Sequence, residues 1–368
     1  MTGTGTDPAV DPRRGSEHDV ADEVAAAVAD MITRAPARPV EGELDRQLWD
    51  GLVDTGFHLL DVPEEAGGSG GDLSALAAAL DVLAHRGAAV PAAESALAGW
   101  LAARAGLRVP AGLALVATGA VRERGPGRLS GTVTVPWGRH ADHVVVPVFG
   151  EDGPAGVAVV AAGAGRWHTA LDVAGEPRDE LVLADARATD RASGPDPDEL
   201  ERRGALVRAA QLAGAARGVL DASVRHAGVR EQFGRPLAAF QAVKHHLATM
   251  AGEVGLMRSA VDSAVLAEST ARTDPGVRAE ATLAIAAAKA VTSAGAGVVA
   301  AAGHQVHGAL GYAREHDLGR LTTRLWSWRD EFGDEGRWQD RIAARALAGT
   351  RLWHTIAGPV PTRQGEAR

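Results

Sequence analysis

Apolar residues recur every three or four positions near both ends of this chain and gather into short runs in its middle. Val20, Val24, Val28 and Ile32 form one stripe, and Leu44, Leu48, Leu52 and Val53 a second that ends near Gly56. That spacing puts each set on one face of a helix. Helices are predicted again over 73–86, with Asp72 or Ser74 as its cap, and over 94–105. From about 109 to 190 the texture changes to short apolar runs at 113–116, 129–135, 144–149, 157–160 and 181–183. Gly, Pro and Asp separate them, which predicts a small antiparallel β domain. A Ser/Gly/Pro/Asp-rich linker follows at 192–198. Long Ala- and Leu-rich helical patterns then cover about 198–229, 238–272, 277–302, 315–331 and 335–353. Their short connections predict an antiparallel bundle. The expected organisation is a tail at 1–19, a helical domain at 20–108, a β domain at 109–195 and a helical bundle at 196–368. The class is α+β, mainly α.

Composition narrows the function. The 368 residues are enough for two or three folded units. Only 4% are aromatic, and alanine and glycine fill much of the rest, which favours helices packed at close range. A net charge of −9 argues against nonspecific nucleic-acid binding. With no cysteine there is no disulfide, thiolate catalysis or cysteine metal site. No apolar run is read as long enough to cross a bilayer, and the polar N-terminus lacks the apolar core of a signal peptide. A disordered tail and a cytoplasmic location are the expectation.

Candidate chemistry concentrates at two corners. Arg230-Glu231-Gln232-Phe233-Gly234-Arg235-Pro236-Leu237 joins two long helices and runs on through Phe240-Gln241 to Lys244-His245-His246. Arg230 at a helix end suits bidentate binding of a pyrophosphate, although most such arginines are solvated caps. Gln232 and Gln241 offer amides to ring nitrogens or carbonyls. The second corner is Gln305-Val306-His307-Gly308-Ala309-Leu310-Gly311-Tyr312. His304 and His307 are three apart, as metal ligands on one helical face are, but no third ligand is evident and no metal is expected. Trp137 reads either as a core or interface wall or as a cofactor contact. The loop with glycines 67, 68, 70 and 71 reads as a hinge or as a ligand edge, and it lacks dinucleotide-fingerprint spacing.

Arg-x-Gln-Phe-Gly-x-Pro-Leu with Phe-Gln-x-Val-Lys-His resembles a signature of the acyl-CoA dehydrogenase family. Gln305-x-His-Gly-Ala-x-Gly-Tyr followed by Arg-Glu-His-Asp resembles a second, and Val62-Pro63-Glu64-Glu65 with its glycine loop a third. The resemblance covers roughly 20–353 and implies the family's order of helical domain, β domain and helical bundle. It implies FAD, contacted across a subunit interface by Arg230, Gln232, Phe233, Gln241, Gln305, Gly308 and Ala309. Ala309 stands where a second glycine is usual. The implied reaction is α,β-dehydrogenation of an acyl-CoA thioester. A glutamate removes the α-proton while the β-hydrogen leaves as hydride. An electron-transferring flavoprotein is the implied acceptor, and a homo- or heterotetramer the implied assembly.

The sequence departs from that pattern where the base belongs. The place about twenty residues past the second signature falls on Phe332 before Gly333, with Glu331 one residue early. The alternative place, counted back from Arg230, falls near Gly204-Ala205, with Glu201 about a turn away, and a third is Thr249. In the β domain the usual Thr-Glu-Pro-Gly-x-Gly-Ser-Asp strand is absent around 115–121. Val135-Pro136-Trp137-Gly138 replaces Trp-Ile-Ser/Thr-Asn. Short diverged members of this kind occur in actinobacterial heteromeric enzymes. Two readings follow. One is an FAD-dependent acyl-CoA dehydrogenase subunit with Glu331 as base. The other is a catalytically silent partner that lends FAD contacts and no base.

Overall fold

A computed structural model describes residues 12–35, 41–150, 153–313 and 316–348, with side chains from residue 20. Four helices come first: α1 (Pro12–Arg34), α2 (Arg46–Asp54), α3 (Leu73–His85) and α4 (Ala92–Arg104). The predicted stripes point inward, with Val24, Val28, Leu44, Leu48 and Leu52 buried and Val20 and Val53 at the edge. Asp72 caps α3, its carboxylate accepting the Ala75 amide at 2.8 Å. Helix α1 begins at Pro12, earlier than the expected Val20. Proline suits the first helical position, so the Pro-rich composition read as a tail also serves a helix start. The glycine-rich loop folds back on itself, Asp61 and Gly70 sharing a 2.8 Å backbone hydrogen bond. Buried Asp61 pairs with Arg203 at 2.5 Å and with Arg272, which makes this loop a structural tie to the bundle.

The middle of the chain forms β1 (Ala114–Val116), β2 (Val121–Gly125), β3 (Arg128–Pro136), β4 (His143–Phe149), β5 (Pro154–Ala161), β6 (Arg166–His168), β7 (Arg178–Arg187) and β8 (Asp190–Ala192). They make one sheet in the order β6-β7-β3-β2-β4-β5-β8, with β1 also on β4. The sheet is mixed, where the sequence predicted antiparallel. Both β1 and β2 lie parallel to β4, because β3 and the 138–140 turn carry the chain back before β4 begins. Val144, Val145 and Val146 are all buried, so both faces of β4 are covered.

Five further helices follow among the described residues: α5 (Pro197–Val229), α6 (Gln241–Thr273), α7 (Arg278–His307), α8 (Leu318–Asp330) and α9 (Glu335–Ala348). A two-stranded hairpin, β9 (Glu231–Gln232) and β10 (Arg235–Pro236), joins α5 to α6. Helices α5, α6 and α7 pack on one another, and α3 lies along α5. A methyl group on Gly214 would overlap the backbone carbonyl of Asp81, so these two helices touch backbone to backbone. The segment Pro275–Tyr312 has a window of mean hydropathy 1.6, long and apolar enough by composition to cross a bilayer, contrary to the reading above. Alanine supplies that hydropathy, and 61% of the window is buried inside the protein, as in a core helix.

Candidate functional site

The two corners singled out in the sequence meet at one end of the bundle. Helices α5 and α7 finish side by side, where His226 and His307 stack at 4.4 Å between ring centroids. Arg230 follows one helix and Gly308 the other. The β9–β10 hairpin turns through Phe233 and Gly234, both with positive φ (52° and 76°), as a two-residue type I′ connection requires. Arg235 lies over the Phe240 ring at 4.2 Å, and the Leu237 amide donates to the Arg230 carbonyl at 2.8 Å. Gln241 opens α6, whose N-cap Phe240 gives no side-chain hydrogen bond, so the first amides of α6 stay open.

Arg230, Gln232, Phe233, Gln241, Gln305, Gly308 and Ala309 are all exposed. The Arg230 guanidinium makes no hydrogen bond or ion pair among the described residues. Gly308 has φ 59° and ψ −143°. Ala309 follows in a 3-10 turn and is not among the positive-φ residues, so the methyl that replaces a hydrogen there brings no strain. Phe233 is 92% exposed and Tyr312 75%, with Val229 and Leu310 beside them in sequence also open. So much apolar surface around a free arginine marks a face made for contact. A free guanidinium, uncapped helix amides and exposed carboxamides together fit an anionic dinucleotide laid across the surface.

The base positions lie elsewhere, where α5, β7 and the turn after α8 meet. Helix α8 ends at Asp330, and Glu331 leaves it with ψ 138°. One residue further, Phe332 has φ 53° and Gly333 φ 89°. The Phe332 ring lies directly on Gly204, where a methyl group would overlap it. Two of the three places counted out for a base are therefore in contact, and an aromatic ring fills the space between them. A bulky residue in the left-handed region costs on the order of 1 kcal/mol. The ring contact and the Trp338 indole, which donates to the Phe332 carbonyl at 2.9 Å, hold it there. Thr249 is exposed on α6.

Glu331 turns inward into an ion-pair network that the sequence reading missed. Its carboxylate accepts from Arg178 at 2.6 Å and from Arg208 at 2.6 and 2.8 Å. Arg178 is placed by β7, opposite Pro136 of β3. Arg208, buried in α5, also pairs with Glu94 of α4 at 2.5 Å and with Gln211. Beside it buried Glu176 accepts from Arg324 at 2.9 Å and from the Trp328 indole at 3.1 Å. Burial alone raises the Glu331 carboxyl, but Arg208 and Arg178 outweigh it and hold it below the usual range. Burial raises Glu176, with Arg324 opposing. Trp137, with φ 62°, is buried at the edge of this network and is a wall of it. The cavity among Val90, Glu94, Trp137, Glu176, Arg208 and Trp328 measures about 10 Å³, room for about one water. A cleft of about 480 Å³ adjoins Glu331 and Phe332, lined also by Thr118, Phe149, Arg178, Glu201 and Arg337. Charged residues within the buried Ala/Leu runs around Glu94 and Arg208 were the only trace of this network in the sequence.

Lys289 of α7 lies nearby. Its ammonium donates to Ser293 at 2.7 Å and to the Arg329 carbonyl at 2.5 Å. Burial, partly offset by Glu331, pushes it down to about 7 from 10.5. Between those values the unfolded chain holds a proton that the folded chain lacks, so stability rises with pH. Lys289→Met is expected to remove that rise, up to about 1.4 kcal/mol per pH unit. Urea midpoints of both proteins compared at about pH 7 and about pH 9 check it. An equal rise in the variant would assign the effect to another group.

His304 and His307 do not share a site. His304 contacts Thr322 at 2.9 Å and stacks on Tyr312, whereas His307 turns toward His226 and His316.

Comparison with known proteins agrees with this architecture. Residues 15–107 match the model of the acyl-CoA dehydrogenase N-terminal domain, and residues 202–347 that of the C-terminal domain. Acyl-CoA dehydrogenase FadE34 of Mycobacterium tuberculosis is 33% identical over 84% of this chain, which spans only 44% of that protein's length. Acyl-CoA dehydrogenase IpdE2 of the same organism is 32% identical over 74% of this chain and 78% of its own. The crystal structure of the ChsE4-ChsE5 complex from M. tuberculosis superposes with a TM-score of 0.79 at 27% identity, covering 90% of this chain and 98% of that one. With both domain models matched in order and a relative of this identity along most of its length, the chain belongs to the acyl-CoA dehydrogenase family.

Proposed function

We propose that this chain is the partner subunit of a heteromeric acyl-CoA dehydrogenase, contributing a cofactor corner and no catalytic base. The observation that carries this reading is the Phe332 ring seated on Gly204, which closes two base positions with one aromatic group. Glu331, the nearest carboxylate, is held ionised by two guanidinium groups. A base for a thioester α-proton works best with its pKa raised toward neutrality. The corner, by contrast, keeps every group suited to FAD. Arg230 and the first amides of α6 would take the pyrophosphate. Gln232, Gln241 and Gln305 would meet polar edges, while Gly308 and Ala309 let the backbone approach. When bound, FAD supplies the hydride acceptor of the family's reaction. The likeness to one chain of a two-protein complex supports a heteromer, and the apolar rim of the corner supports a site completed by a second chain.

The purified chain is expected to be colourless when expressed alone and to gain flavin absorbance when co-expressed with a homologous subunit. In that complex Glu331→Gln should leave turnover unchanged. Flavin bound to the lone chain and bleached anaerobically by an acyl-CoA would overturn the proposal in favour of a self-sufficient dehydrogenase.

A further inference from the structure

Three histidines from three separate elements converge behind the cofactor corner. His226 lies in the last turn of α5, His307 ends α7, and His316 sits just ahead of α8. One nitrogen from each lies within 4.8 Å of the other two. The rings of His226 and His307 stack at 4.4 Å, and His316 meets His307 edge-on at 5.0 Å.

The tautomer of His307 is set by its surroundings. Its Nδ1 lies 2.9 Å from the Gly303 carbonyl, which can only accept, so Nδ1 carries the proton. The lone pair is therefore on Nε2. That atom is buried and has no hydrogen-bond partner, in a residue only 5% exposed. A buried acceptor left unmet costs about 1–3 kcal/mol, so an unmet nitrogen facing two more imidazoles asks for a ligand. A ring whose far N–H is tied to a backbone carbonyl is also the usual arrangement of a metal-bound histidine. His226 makes no side-chain hydrogen bond among the described residues. His316 accepts the Leu318 amide on Nδ1 at 3.2 Å. Metal binding gives up that long contact, either to Nδ1 directly or to Nε2 once the ring has turned over. The Arg230 guanidinium, whose charge acts on His226, extends from an exposed position.

We infer that His226, His307 and His316 form a binding site for one divalent transition metal of imidazole preference, zinc first. Three neutral nitrogens with water as a fourth ligand suit tetrahedral zinc. At Zn–N of about 2.1 Å the nitrogens would close to roughly 3.4 Å, a contraction to be met by small rotations of all three side chains. The site is separate from the base position and does not depend on the subunit role argued above. Its ligands tie together the helix ends that present Arg230, Gly308 and Ala309, so the metal would fasten the cofactor corner from behind.

Full-length protein, stripped with chelator and dialysed, is to be titrated with Zn²⁺ against a competing chromophoric chelator, and with Co²⁺ followed by its visible bands. One metal per chain is expected, with the intense bands of four-coordinate cobalt. His226→Gln and His316→Gln should each weaken binding by at least about tenfold, and His307→Gln by no less. The exposed His245→Gln should bind as the parent does. Should His307→Gln fail to fold, the other two variants decide. Absence of stoichiometric uptake, or uptake unchanged in the His226 and His316 variants, would overturn the assignment.

Discussion

Replacing Arg208 with alanine should destabilise the folded chain by about 3–5 kcal/mol. The guanidinium is buried within α5 and answers two carboxylates, Glu94 and Glu331, on different elements. Its removal strands Glu94 beside a cavity with room for only one water and leaves Glu331 with Arg178 as its remaining cation. Calorimetric melting of the purified variant checks the loss. Exchanging Arg208, Glu94 and Glu331 together for apolar residues of matched volume should restore most of it, because the cost lies in the unpaired charge. A mild effect of Arg208→Ala would mean that water reaches the network. The same pairs have a pH signature. Glu331 is held below its ordinary 4.5, so its contribution is complete above that pH and is lost as pH falls through the lower folded value. Acid melting of the parent should therefore be steeper than that of Glu331→Gln.

A second large effect is expected at Gly204. Alanine there should cost about 1–3 kcal/mol in the parent, since its methyl overlaps the Phe332 ring and the core cannot give freely. In a Phe332→Ala background the same change should become neutral or stabilising, because alanine is the better helix former by up to about 1 kcal/mol. That reversal of sign in a double-mutant cycle measures the contact which closes the base position. Simple additivity would show that the ring does not rest on Gly204.

The helices were legible because their stripes are regular and their caps local. Asp72 holds the amide three residues on, as its position implied. The mixed sheet was not legible, since parallel pairing of β1 with β4 depends on how β3 returns and leaves no mark on either strand's own sequence. Counting from the signatures found both Phe332 and Gly204, yet nothing in a count reveals that they touch. The expected helix ran through Glu331, at 315–331. The helix stops one residue earlier, and the extended backbone turns the carboxylate inward. His226 and His316 carry no local spacing signal with His307. Only the packing of α5 against α7 brings the three together.

The contact between α3 and α5 bears on how the chain is made. Asp81 and Gly214 meet backbone to backbone, and the whole sheet domain lies between them in sequence. During synthesis the first four helices leave the ribosome with their apolar stripes uncovered, and they stay so while eight strands are translated. The sheet can close on its own pairings in that interval, but the helical body cannot be finished until α5 emerges. Contacts this distant in sequence form slowly and leave sticky intermediates. A chain of this design has its greatest need of chaperones in the window between its two helical halves.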